Sequence, residues 1–283
     1  MILVTGATGT VGSSVVRELL ARGEQVRAMT RNPAAQAGRA GLDVVFGDFD
    51  KPETLEYAAG GVDTLFLLSA PGPALPAHDL AMLAAARAKG IGRVVKLSAI
   101  GTPDDDAPTR LGSWHRPGEA AVHASGLAWT ILRPTTFASN SLQWAAAIRA
   151  GTPAPNMFST GAQGIVDPAD VAAVAAAALT GADHVARTYT LTGPELLSVP
   201  DQVRQLGEVL GWATSTVDIE LEVARQEMVA SGMPSEFADV AIAGAAYVRD
   251  GANAIVTEDV ARVLGRPARS FRSWAEEHRR AFG

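Results

Sequence analysis

Apolar positions in the first half of the chain fall into two alternating kinds of run. Short β-branched or near-continuous apolar runs at residues 2–5, 25–30, 44–46, 64–69, 93–98 and 128–132 predict strands. Between them lie stretches with helical spacing. In residues 9–22, Val11, Val15, Val16, Leu19 and Leu20 share one face, and residues 77–89 and 118–124 read the same way. Runs such as DTLFLLS and RVVKLS are apolar on both faces, as in strands buried on both sides. Strands alternating with helices at this spacing predict an α/β fold, a doubly wound parallel sheet with helices on both faces.

The pattern loosens after Arg133-Pro134. Residues 151–164 read as a loop, 167–179 as a helix and 188–192 as a strand. Residues 200–210, 221–231, 236–247 and 270–282 read as further helices. The expected organisation is a dinucleotide-type domain over residues 1–137 and a smaller, mostly helical C-terminal part over 138–283. Residues 167–192, which still look like an α/β unit, would return to the first domain.

Bulk properties narrow the partners. The chain has 283 residues, a net charge of −6 and a pI near 5.4. Nucleic acid and anionic membranes call for a basic face, so neither is an expected partner. Cysteine is absent, which removes disulfides, thiolate catalysis and cysteine-ligated metals. No histidine or carboxylate spacing reads as a metal site, so no metal is expected. The first strand begins at Met1 with no signal-peptide pattern ahead of it, and a cytoplasmic location is the expectation. A small-molecule substrate is the expected partner, and a homodimer is left open.

The first strand–helix junction carries the most specific signal. GATGTVG places Gly6, Gly9 and Gly12 between a β-branched strand and an amphipathic helix. Gly6 permits a tight turn, Gly9 lets backbone approach a pyrophosphate, and Gly12 lets helix pack close to strand. The second strand then runs into RAMTRNP. Where an NAD-binding unit places an acid against the ribose 2′-hydroxyl, this chain has Arg31, suited to a 2′-phosphate. NADP(H) is therefore expected over NAD(H). In GDFDKPE, Asp50 and Glu53 have capping-box spacing. Asp48, nearer the strand end, suits either an adenine amino group or a second local cap.

GATGTVG, RNP, GDFD, LLSAPGP, VVKLSA and SGLAWTILRP, with VDPADVA, YTLTGPE and VTEDVARVLGRPARSF further on, resemble the NmrA-like atypical short-chain dehydrogenases. Within that group the chain is most similar to the quinone oxidoreductase and azoreductase-like members. The resemblance implies a Rossmann fold with a C-terminal substrate-covering subdomain. It implies that Gly6, Thr8, Gly9, Thr10 and Val11 hold a pyrophosphate, that Arg31 meets the adenosine phosphate, and that Asp48 and Phe49 meet the adenine. Ser69, Ala70 and Pro71 would line the ribose and nicotinamide side. Ligands of open α/β sheets lie beyond the carboxyl ends of the strands, which places Ser98, Pro134, Thr135, Phe137 and Asn140 around the reaction centre, the last two with Thr135 as substrate-pocket candidates.

A standard short-chain dehydrogenase uses a tyrosine with a lysine four residues later. The tyrosines here are Tyr57, Tyr189 and Tyr247, and each is followed at that spacing by glycine: Gly61, Gly193 and Gly251. In the corresponding stretch, GSWHRPGE, the ring residue is His115 and the residue four places on is Glu119. Their spacing suits neighbours on one helix face. Pro117 leaves a second reading, a helix that starts at the proline with His115 on the loop before it. With Ser98, these two form the candidate catalytic set. His115 would donate a proton or orient the substrate oxygen, or else cap the helix, and a nearby Glu119 would raise its pKa. Lys96 reads as a buried stem with an exposed head. His78 has no recognisable partner. The chemistry this permits is hydride transfer from NADPH to a hydrophobic, electron-poor acceptor (a quinone, enone, carbonyl or imine). The alternative is a non-catalytic dinucleotide sensor that contacts a regulatory protein.

Overall fold

The apolar runs of the first half form one sheet, and the alternation of side chains along them sorts the helices into two layers. The computed structural model describes residues 1–36, 41–102 and 113–283; Gly112, the first residue of GSWHRPGE, lies outside them. In chain order the first unit contains β1 (Ile2–Val4), α1 (Thr10–Ala21), β2 (Val26–Thr30), β3 (Leu42–Phe46), α2 (Pro52–Ala59), β4 (Thr64–Leu67), α3 (Leu75–Ala88), β5 (Arg93–Leu97), α4 (Arg116–Ala124) and β6 (Ala128–Pro134). After β6 come α5 (Ala145–Ala150), β7 (Ala154–Asn156), β8 (Gln163–Gly164), α6 (Pro168–Thr180), β9 (Arg187–Leu191), β10 (Leu196–Leu197), α7 (Val199–Leu210), β11 (Thr216–Asp218), α8 (Leu221–Ala230), α9 (Ser235–Arg249), α10 (Asp259–Leu264) and α11 (Phe271–Glu277).

Seven strands pair in the order β3-β2-β1-β4-β5-β6-β9. The ladders are parallel, with Leu3 opposite Arg27 on one side and Leu65 on the other, and Lys96 opposite Ile131. Strand order reverses between β1 and β4, the switch point at which such sheets bind ligands. Leu3, Leu65, Leu67 and Val94 pack with Leu55, Met82, Leu83 and Val122 from α2, α3 and α4. Side chains alternate across a strand, so Val4, Phe66 and Val95 face the other layer, where α1 packs on α6. Helix α6 is buried nearly all round, which is why its sequence shows little amphipathic contrast.

By internal packing the chain divides into residues 1–134 with 168–190, and residues 135–167 with 191–283. The second unit is mostly helical. Its core gathers Trp144, Ile148, Leu197, Val203, Leu206, Phe271, Trp274 and Phe282. Helix α7 starts on a reciprocal capping box between Ser198 and Asp201.

Three local expectations change. The stretch 151–164 contains β7 and β8, too short to show an alternation. A helix expected over 270–282 stops at Glu277 and gives way to a 3₁₀ turn, Arg279–Ala281. Helix α4 begins at Arg116, with Pro117 in its first turn, where a missing N–H costs nothing. His115 is its N-cap residue, already helical at φ −80° and ψ −27°, and its carbonyl accepts from the Glu119 N–H at 2.9 Å.

Candidate active site

The glycine turn shows why two of its three glycines are needed. Gly6 has φ +59°, the left-handed region that side chains disfavour. A Cβ on Gly12 would stand 2.1 Å from the Gly6 carbonyl oxygen, so only glycine lets α1 dock this close to β1. Gly9 is the N-cap of α1, and no side chain caps it. The first-turn amides of Thr10, Val11 and Gly12 have no preceding helical carbonyl, and the helix dipole adds positive potential there. Val11 and Gly12 are buried while Thr8, Gly9 and Thr10 are exposed, so an approaching anion meets mainly backbone.

A cleft of about 380 Å³ opens beside this turn, lined by Gly6, Thr8, Met29, Thr30, Arg31, Asn32, Gly47, Asp48, Phe49, Asp50, Leu68, Ala70 and His78. Apart from His78 on α3, these residues lie at or just beyond the carboxyl ends of β1, β2, β3 and β4. Arg31 is exposed at its lip, with no ion pair among the described residues. The donors and shape fit a dinucleotide: orphan amides at one end, a cation on the adenosine side, and an aromatic wall. That wall is Phe49 stacked on His78, with ring centroids 5.0 Å apart and planes at 17°.

Asp48 accepts from the Asp50 N–H at 3.2 Å, a local turn contact. The expected Asp50–Glu53 capping box does not form. Lys51 is the N-cap of α2 and no side chain caps it; the Thr54 hydroxyl instead bonds the Lys51 and Asp48 carbonyls. Asp50 meets His78 Nε2 at 3.1 Å, so His78 has a partner that sequence spacing did not reveal. Ser69 is buried, and its hydroxyl donates to Asp79 Oδ1 at 2.8 Å. Ala70 and Pro71 are exposed beyond it.

Two polar rungs join β5 to the helices above it. The deeper is Lys96–Asp79, 2.5 Å apart, with side chains 1% and 0% exposed. The expectation that the Lys96 head reaches solvent is therefore overturned: with Asp79 and the Leu97 carbonyl supplying oxygens, the ammonium stays inside. Asp79 sits on the α3 face that carries Leu75, Met82 and Leu83, and an acid at such a core position was the sequence signal for it. The shallower rung is Ser98–Glu119–Arg133. The Ser98 hydroxyl donates to Glu119 at 2.5 Å, and Arg133 donates to both Glu119 oxygens, at 3.0 and 2.6 Å. Thr102 lies 3.3 Å from Ser98 Oγ.

Glu119 therefore serves Ser98 and Arg133, and the expected His115–Glu119 side-chain pair is absent. The Glu119 carboxylate is taken up instead by Arg133, which reaches both of its oxygens. Nor does His115 titrate near neutrality. Burial first, and the Lys96 ammonium second, push it down from 6.5 to about 3. Its Nδ1 is buried without a hydrogen-bond partner among the described residues.

Past β6, Pro134 is buried and its carbonyl accepts from the Ile100 N–H at 2.9 Å. Thr135, Phe137 and Asn140 belong to the second unit. The Thr135 hydroxyl bonds the Gly164 and Leu191 carbonyls, Phe137 pairs with Val166 in an isolated bridge, and Asn140 is exposed in a 3₁₀ turn. Among the described residues no cluster could hold a metal ion, and no helix is long and apolar enough to cross a membrane.

Residues 6–182 match the model of the NAD(P)H-binding family. The chain belongs to that family. Over 283 residues it is 40% identical to the (4-alkanoyl-5-oxo-2,5-dihydrofuran-3-yl)methyl phosphate reductase of Streptomyces griseus, covering 100% of this chain and 99% of that protein. It is 36% identical to the NAD(P)H azoreductase of Xenophilus azovorans, again over 100% and 99%. Among solved structures, the NADPH-dependent quinone oxidoreductase of Escherichia coli superposes with a TM-score of 0.86 at 24% identity, covering 98% of this chain and 99% of the other. The azoreductase and quinone oxidoreductase are the subgroup that the sequence motifs resemble.

Proposed function

We propose that the protein is an oxidoreductase that prefers NADPH to NADH and passes hydride to a small, hydrophobic, electron-poor acceptor: a quinone, enone, carbonyl or imine. The observation that carries this reading is the cleft at the sheet's switch point, with orphan α1 amides at one end and, at the other, Arg31 with no ion pair among the described residues. The two full-length relatives support the reductase over the sensor, since both are named as reductases.

NADPH, when bound, supplies the hydride. The chain's own residues bind and orient. Amides of Thr10, Val11 and Gly12, with Thr8 and Gly9, hold the pyrophosphate. Arg31 meets the 2′-phosphate through charge-assisted hydrogen bonds, and Asp48 and Phe49 meet the adenine. Ser69, Ala70 and Pro71 border the nicotinamide side. The Ser98 hydrogen is committed to Glu119, and Glu119 to Arg133, so neither gives a proton to substrate. His115 is neutral at working pH and orients an acceptor oxygen by a hydrogen bond. An acceptor suited to this site forms a stabilised anion when hydride arrives, so that full protonation is not needed in the transition state. Quinones and conjugated enones meet that condition better than simple ketones.

The test is calorimetric titration with NADPH and NADH, followed by absorbance assays of NADPH oxidation with menadione, a conjugated enone, a simple ketone and an imine. Tighter NADPH binding is expected, with turnover fastest on menadione or the enone. A protein that binds the dinucleotide and oxidises none of it with any acceptor is a sensor.

A further inference from the structure

The standard tyrosine–lysine pair takes its ring and its cation from one helix. Here the ring is His115 at the N-cap of α4, and the cation beneath that turn, Lys96, comes from a different element, β5. Gly118 stands one turn beyond His115, on the same helix face. A Cβ at Gly118 would lie 2.1 Å from Asp79 Oδ2 and 3.0 Å from Lys96 Cε, so the first turn of α4 rests on the Lys96–Asp79 pair. The pair is held in turn by the Ser69 hydroxyl and by the Leu97 carbonyl, which accepts from Lys96 at 3.4 Å.

We propose that Lys96 is a positioning residue for His115: its ammonium, anchored beneath α4 by Asp79, which Ser69 holds in turn, selects the tautomer in which Nε2 carries the ring proton. The buried Nδ1 decides between the two forms. It has no hydrogen-bond partner among the described residues. A proton there would be a buried donor with nothing to accept it, in the field of a fixed cation. A lone pair there is attracted to the same cation. The proton therefore sits on Nε2, and His115 offers one N–H outward. Among the described residues, the charged groups around this turn are Lys96 from β5, Asp79 from α3, Arg133 from β6 and α4's own Arg116 and Glu119. Glu119 and Arg133 are paired with each other. The depressed titration of the ring, to which Lys96 contributes after burial, agrees with this arrangement. That the N–H meets an acceptor oxygen rests on the function proposed above; the tautomer does not.

Long-range proton–nitrogen correlation spectra of the full chain, labelled with ¹⁵N-histidine, read the tautomer directly, and His115→Ala identifies the signal. The wild type is expected to show a neutral Nε2–H ring from about pH 5 to 8. In Lys96→Met/Asp79→Leu the buried pair is replaced by apolar side chains of similar size, a change that folds tolerate. There the signal should become a mixture of tautomers. Its midpoint should rise toward 6.5 without reaching it, because the ring stays buried. A wild-type Nδ1–H ring, a ring titrating near 6.5, or an unchanged tautomer and midpoint in the double variant would overturn the proposal. Should the double variant fail to fold, the wild-type spectrum still decides the tautomer, and Asp79→Asn, which keeps the Ser69 acceptor while loosening the Lys96 anchor, reports on the cation. A wild type that shows the Nε2–H ring yet oxidises no NADPH supports the tautomer and removes only the function.

Discussion

Glu119→Gln tests whether the Ser98–Glu119–Arg133 rung holds the first turn of α4 on the sheet. The wild-type carboxylate receives three hydrogen bonds, from Ser98 at 2.5 Å and from two Arg133 nitrogens at 3.0 and 2.6 Å. The two side chains are 5% and 15% exposed. Breaking a buried pair by removing one charge costs about 3–5 kcal/mol. The glutamine keeps one acceptor, and Arg133 reaches some water, so the low end applies, about 3 kcal/mol. For a chain of this size that lowers Tm by roughly 6–12 °C, at about 2–4 °C per kcal/mol. Urea denaturation followed by circular dichroism measures it. A loss below about 1 kcal/mol, the range of exposed ion pairs, would show that solvent screens the rung and refute the reasoning. The His115 titration should not move in this variant, because Glu119 does not touch the ring. A shift would restore the pairing that the helix spacing suggested.

Three further outcomes follow from the same geometry. His115 is neutral in the folded chain and titrates near 6.5 when unfolded, so the unfolded chain binds more protons between pH 6.5 and about 3. Stability should be unaffected above pH 6.5 and fall below it, with a slope of up to about 1.4 kcal/mol per pH unit that His115→Gln removes from the denaturation profile. Arg31→Ala should weaken NADPH binding by tenfold or more, from a contact worth about 1.5–3 kcal/mol, and leave NADH nearly unchanged; equal wild-type affinities in calorimetry would end the claim. Gly12→Ala puts a methyl 2.1 Å from the Gly6 carbonyl and should cost more than about 2 kcal/mol or abolish dinucleotide binding, whereas Gly9→Ala, whose Cβ meets only the Gly6 oxygen at 3.4 Å, should fold normally.

By itself the sequence determined whatever depends on neighbours along the chain. Strand–helix alternation named the sheet, because side-chain period and backbone hydrogen bonding are local. Gly6 and Gly12 of GATGTVG named the tight strand–helix turn, because a left-handed turn and a close helix each exclude a side chain at a known spacing. Pro117 in the first turn of α4 was legible for the same reason. The long-range polar pairings were not. Lys96 and Asp79 are 17 residues apart, Ser98 and Glu119 are 21 apart, and His78 and Asp50 are 28 apart, each pair on different elements. A charge at a core position announces that some partner exists, as Asp79 on its apolar helix face does, but not which one. Only the stacking of α3 and α4 on β5 chose Lys96 for Asp79. The same stacking gave Glu119 to Arg133 and not to His115, since a carboxylate leaving water goes to the cation that can enclose both its oxygens, and a neutral ring at a helix cap cannot.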